Sequence, residues 1–194
     1  MVQKVLKAFQ ESADIKEKFA RENAETVVEV SRLIANAFNE GKKLVLFGNG
    51  GSAANASHMA AEFMRGSKKE RPGLPAIALN TDTAVMTALS RDYDFSEVFS
   101  RQIKAIGDEG DVAIAISTAG GSSNLIKAMD AAKKKKMKLV AFTGMKGEKL
   151  AQKSNYSFIV PSDKEPRIHE AHITLGHVIC QMVEEILFDA PRKA

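Results

Sequence analysis

The stretch VAIAISTAGGSSN, residues 112–124, opens with an unbroken apolar run and closes with small and hydroxyl-bearing residues. No polar residue alternates with the apolar ones, so a strand formed here is buried on both faces and needs a helix layer on each side. Four further runs repeat the motif: LVLF (44–47), PAIAL (75–79), KLVAF (138–142) and YSFIV (156–160), most of them followed by a turn cluster and then a helical pattern. Five buried parallel strands with intervening helices make an α/β protein, a three-layer α/β/α sandwich of the flavodoxin-like kind.

Outward from the sheet, apolar residues at helical spacing predict two N-terminal helices, over 2–21 and 24–39, the second stopped by Gly41. A long amphipathic helix is expected over 167–188. The chain has 194 residues, 44% hydrophobic and 27% charged, which suits one domain with a sizeable core. The start MVQKVLKAFQ has neither a basic-then-apolar signal nor a run long enough to cross a bilayer, so a cytoplasmic protein without membrane contact is expected. The single cysteine, Cys180, lies in an apolar helical pattern and reads as a buried thiol. A net charge of +4 suits an anionic small molecule. The basic run 133–136 has no interleaved aromatics and sits at a helix end, where lysines complement the dipole, so no nucleic-acid partner is expected.

Ligands of open α/β sheets bind beyond the carboxyl ends of the strands. Two segments there stand out: Gly48-Asn49-Gly50-Gly51-Ser52 after the first strand, and Ser117-Thr118-Ala119-Gly120-Gly121-Ser122-Ser123-Asn124 after the third. Glycines turn backbone amides inward, hydroxyls donate, and the following helix N-terminus adds positive charge, so each segment is a phosphate cradle. No Lys-Ser/Thr follows the glycines, which argues against ATP. GNGGSA meets only a loose dinucleotide fingerprint, and the second strand ends in Leu79-Asn80 rather than an acidic ribose ligand. A small phosphorylated metabolite held by neutral donors remains.

The helix after the first cradle carries His58 and Glu62, about 40° apart around its axis. The last helix opens with His169, Glu170 and His172 and continues to His177, so three of the four histidines fall in one segment. On a regular helix His177 stands about 20° from Glu170 and about 80° from His169. A carboxylate and imidazoles from two helices make either an acid/base pair or a transition-metal site.

These residues resemble the sugar isomerase (SIS) domain family, and within it the bacterial phosphoheptose isomerases. The resemblance runs over nearly the whole chain and is carried by GNGGSAANASHMAAEF (48–63), RPGLPAIALNTD (71–82), DYDFSEVFSRQI (92–103), EGDVAIAISTAGGSSN (109–124) and RIHEAHITLGHVIC (167–180). It implies one SIS domain over 1–194, its N-terminal helical pair (1–41) packing on the sandwich and on neighbouring subunits of a homotetramer. It implies conversion of sedoheptulose 7-phosphate to D-glycero-D-manno-heptose 7-phosphate, a step toward ADP-heptose and the lipopolysaccharide core. Phosphate ligands would be Ser52, Ser117, Thr118 and Ser122, within a substrate site that takes in Gly50, Gly51, Ala119 and His169. Asn49 and Asp92 would lie near the sugar, and Glu62 and His177 would be the catalytic pair. One zinc per subunit would use His58, Glu62, His169 and His177.

The chain departs from the family pattern at Ala119, in place of a third loop hydroxyl, at Pro166, in place of an aspartate, and at His169, in place of a glutamine. Where many relatives have an arginine four residues after the glutamate, this chain has Gly66, with Arg65 and Arg71 as the nearby substitutes. The family also contains sugar-phosphate-sensing regulators and an adaptor that binds a replication initiator. The carboxylate and histidine pair favours the enzyme, and an isomerase acting on a different sugar phosphate is the other alternative.

Overall fold

The computed structural model describes residues 1–66 and 70–189. Strands β1 (Leu44–Gly48), β2 (Ala76–Ala78), β3 (Val112–Ile116), β4 (Lys138–Gly144) and β5 (Tyr156–Val160) form one sheet. Its order is β2-β1-β3-β4-β5, with every neighbouring pair parallel. Helix α1 (Val2–Asn39) precedes β1, and α2 (Gly51–Arg65) follows it. Helices α3 (Thr83–Asp92) and α4 (Val98–Ile106) lie between β2 and β3. After β3 come α5 (Ser123–Lys134), then α6 (Glu148–Ala151) between β4 and β5, and finally α7 (Glu165–Glu184). The long final helix expected over 167–188 thus begins two residues earlier, with Pro166 in its first turn, and passes into a wider π turn at Glu185–Asp189.

Alternate strand residues feed two cores, as the pleat requires. Leu44, Leu46, Ile114, Ile116, Val140 and Phe142 pack with Val30 and Ile34 of α1, Met59 and Phe63 of α2, and Leu175 and Ile179 of α7. Val45, Phe47, Ala113, Ala115 and Ala141 pack with Phe99 and Ile103 of α4 and with Leu125 and Met129 of α5. The two clusters are the helix layers that the unalternating strands demanded.

The N-terminal pair of helices is instead one helix of 38 residues. No glycine or proline interrupts residues 21–24, and the turn is bridged by Asn23 Nδ2 donating to the Phe19 carbonyl (2.8 Å) and by the Arg21–Glu17 pair (2.6 Å). What changes along α1 is its surroundings. Phe19, Val27, Val30 and Ile34 are buried, whereas Val2, Val5, Leu6 and Phe9 are exposed, so the apolar pattern shifts without a break.

Chain order places the cradles. β1 pairs with β2 on one side and β3 on the other, and the chain crosses back over β1 between them. The carboxyl ends of β1 and β3 therefore lie side by side at the reversal of strand order, Gly48 opposite Ile116. Among the described residues no helix is long and apolar enough to cross a membrane.

Candidate active site

Two helix N-termini meet at that reversal. Asn49 leads into α2, and Asn124 lies in the first turn of α5. Their side-chain amides bond reciprocally, Asn49 Nδ2 to Asn124 Oδ1 at 3.0 Å and Asn124 Nδ2 to Asn49 Oδ1 at 2.9 Å. Asn124 Oδ1 also accepts from the Leu125 amide (2.9 Å). The pair brings the positive ends of both helices to one place, a setting that favours an anion. The resemblance places Asn49 near the sugar. Its partner Asn124 was not singled out, because a pairing across 75 residues leaves no local signal.

Gly50 caps α2 and Ser52 is buried in its first turn. Ser117 is buried, and its Oγ accepts from the Gly120 amide (2.9 Å), which folds the loop back past the exposed Ala119. Ser122 is the N-cap residue of α5 and makes no side-chain cap bond. Thr118 Oγ1 donates to Glu165 Oε1 (3.2 Å) at the start of α7. Sequence reasoning missed that carboxylate at the cradle's edge. Asp92 pairs with Arg91 (2.6 Å) on α3, a helix with no buried residue, and is not joined to the cradle within the chain.

Helices α2 and α7 run side by side in the same direction. At the cradle end, a Cβ on Gly51 would stand 2.8 Å from His169 Nε2, so only glycine lets the imidazole lie on the helix start. Further along, a Cβ on Gly176 would stand 2.8 Å from Met59 Cγ. At the same level His58 Nε2 and His177 Nε2 face each other at 2.7 Å, with ring planes 78° apart. One of these nitrogens donates and the other accepts. Glu62 follows His58 by one turn and accepts from Arg65 Nη2 (2.8 Å). Arg65 thus meets the Glu62 carboxylate, while Arg71 reaches the Glu62 carbonyl (3.3 Å).

The structure therefore brings together His58 with His177 across the helix pair, and His169 with Gly51 at the cradle. Among the described residues no three His, Cys, Asp or Glu side chains converge as a metal-holding group. His169 Nδ1 is buried and has no partner among the described residues. His172 is structural. It is fully buried, with Nε2 3.3 Å from the Thr143 carbonyl. Cys180 is buried as expected, and burial, with Glu62 and Glu184 nearby, pushes its thiol up to about 12.

Residues 9–144 match the family model of the SIS domain. The chain is 57% identical over 188 residues to the phosphoheptose isomerase of Thermodesulfovibrio yellowstonii, covering 97% of this chain and 94% of that one. It is 51% identical over 187 residues to the phosphoheptose isomerase of Aquifex aeolicus, covering 96% and 98%. Its fold superposes on the solved structure of a phosphoheptose isomerase from Francisella tularensis with a TM-score of 0.91, at 32% identity, over 95% of this chain and 98% of that one.

Burial pushes the His172 imidazole down to about 4 from its ordinary 6.5, aided by nearby His169 and opposed by the bond to Thr143. Between those values the unfolded chain binds a proton that the folded chain does not. The contribution of His172 is thus complete above pH 6.5, falls as pH drops toward 4 and then levels, a loss of about 3 kcal/mol. Urea unfolding at pH 7 and pH 4.5 checks this. A His172→Gln variant should lose less stability than the parent over that interval, by about 2.4 kcal/mol.

Proposed function

The chain belongs to the SIS domain family and is a sugar-phosphate isomerase of the phosphoheptose isomerase type, and we propose that its reaction converts sedoheptulose 7-phosphate to D-glycero-D-manno-heptose 7-phosphate. The observation that carries this reading is the continuity of one surface. The joined cradle at β1 and β3 passes directly into the α2–α7 pair that bears Glu62, His58 and His177.

In this mechanism the cradle holds the phosphate through Ser52, Ser117, Thr118 and Ser122, with the backbone amides of Gly50, Gly51 and Ala119 around it. Two helix dipoles offset its charge in place of lysine or arginine. Ala119 leaves the loop one hydroxyl short, which costs about 1 kcal/mol of binding. The phosphate end is fixed, so the carbonyl end extends along α2 and α7. Glu62 takes a proton from C1 of the ketose while His177 gives one to the carbonyl oxygen at C2, producing the enediol. Protonated Glu62 then gives its proton to C2 while His177 regains one from the C1 hydroxyl, which leaves the aldose and restores both groups. No electron acceptor is needed, and each proton has a named donor and acceptor.

Zinc, one ion per subunit, belongs to the same proposal. Of the residues that would hold the ion, His58 and His177 already face each other across the helix pair. Glu62 lies one turn from His58, and His169 has a buried nitrogen without a partner among the described residues. When bound, the ion supplies Lewis-acid stabilisation of negative charge on the enediolate oxygens. A homotetramer is proposed as well. Val2, Val5, Leu6 and Phe9 leave one stretch of α1 apolar and exposed, and Asp92 would reach the sugar from a neighbouring subunit. A cytoplasmic setting and a product that feeds ADP-heptose and the lipopolysaccharide core complete the proposal.

Purified protein mixed with sedoheptulose 7-phosphate should form the aldose. Glu62→Gln and His177→Asn should each lower kcat by about 100-fold or more with little change in KM. Turnover of a pentose or hexose phosphate alone would replace the heptose assignment, and phosphate binding without any turnover would indicate a sensor. Elemental analysis of protein purified without chelator should find about one zinc per chain, and His58→Ala should lose it. Light scattering should give the mass of a tetramer. A fully active monomer would overturn the shared site.

A further inference from the structure

Arg71 lies outside the cradle and carries no hydroxyl or imidazole chemistry, yet its side chain is only 4% exposed. A guanidinium cannot shed its proton, so burying it demands partners. Its partners lie at the far ends of α2 and α7 and in the segments that follow them. Nε and Nη2 donate to Glu184 Oε1 at 3.0 and 2.6 Å, and Glu184 closes α7 and is itself only 16% exposed. Nη1 donates to the Phe63 carbonyl (2.9 Å) and the Pro72 carbonyl (2.9 Å), while Nη2 lies 3.3 Å from the Glu62 carbonyl. The Phe188 ring lies 5.6 Å from its Cζ.

The last turn of α2 is finished by the same segment. The Glu62 carbonyl accepts from Gly66 N (3.0 Å) and the Phe63 carbonyl from Leu74 N (3.1 Å). Gly66 has φ +84°, and a Cβ there would meet Arg71 Cγ and Nε at 3.3 Å, so the guanidinium lies across a residue without a side chain. The C-terminus of α2 and the Glu184 carboxylate of α7 thus present partial and full negative charge to one buried cation. Neither helix can shift along the other at this end without breaking these bonds.

From this arrangement we infer that Arg71 is a positioning residue for the isomerisation, fixing the backbone of Glu62 to α7 so that the Glu62 carboxylate and the His177 imidazole are held at one separation. The inference rests on the catalytic roles proposed for Glu62 and His177. Arg71 acts through its main-chain contact with the base-bearing turn and its ion pair to the acid-bearing helix, and it touches no substrate. Its loss therefore acts on the chemical step and leaves the cradle, at the opposite end of α2, intact.

The test compares Arg71→Met and Arg71→Lys with the parent chain, with rates normalised to folded protein by circular dichroism. The expected result for Arg71→Met is a fall in kcat of about 10- to 100-fold, the scale of a misplacement near 1 Å. KM and the affinity for inorganic phosphate, measured by calorimetry, should stay within about twofold. Lysine keeps the charge without the planar fork and should recover part of kcat. Wild-type kcat in folded Arg71→Met, or a parallel loss of phosphate affinity, would overturn the inference. If Arg71→Met does not fold, Arg71→Lys and Glu184→Gln carry the test on the same split of kcat from KM, and wild-type kcat in both would overturn it. Glu62→Gln separates the two failures. An active Glu62→Gln removes the catalytic roles and Arg71's task with them, whereas an inert Glu62→Gln beside a fully active Arg71→Met removes the Arg71 inference alone.

Discussion

The reciprocal amide pair between Asn49 and Asn124 is the constraint on which the site depends. Parallel strands put the ends of β1 and β3 next to each other, but adjacency alone leaves two separate turns. The amide pair makes them one surface, with both helix N-termini directed at it, and its two bonds are largely shielded from water because Asn124 is buried. A cradle of neutral donors has little reach. It works only if the donors and dipoles are fixed beforehand, since there is no flexible cation to follow the ligand.

From that surface the molecule extends as a pair of helices in step. Along α2 and α7 the contacts come in order: Gly51 under His169, Met59 against Gly176, His58 against His177, and the Glu62 turn bound through Arg71 to Glu184. The first two need the absence of a side chain, which sets the spacing by sterics. The last needs a buried ion pair, which sets it by charge. Between these fixed ends sit the imidazoles and the carboxylate, so their distance from the Asn49–Asn124 junction follows from helix rise, about 1.5 Å per residue.

The two faces of the sheet have different tasks. The face under α4 and α5 is closed by small and branched residues and contributes the start of α5 to the cradle. The face under α1, α2 and α7 carries Glu62, His58 and His177, and there α1 extends well past the sheet with apolar residues exposed. His58 and His177 are likewise exposed within a single chain.

Much of this was legible without coordinates. Apolar runs without alternation dictate a sheet covered on both faces, and the glycine- and serine-rich segments after the first and third runs mark the turns that lead into α2 and α5, because both follow from local residue chemistry. The helical spacing of His58 and Glu62 also needed no structure. Other features had no local trace. The continuity of α1 past residue 21 rests on its unbroken backbone hydrogen bonds, which a shift in the apolar pattern does not reveal. Which histidine faces His58 depends on the register of α7 against α2, set by Gly51 and Gly176. The Asn49–Asn124 pair and the burial of Arg71 against Glu184 join residues 75 and 113 positions apart. The sequence by itself determined the elements and the chemistry each could offer, because these depend on neighbours in the chain. Which groups meet was decided by tertiary packing, because contact between distant residues is a property of how the helices seat on the sheet.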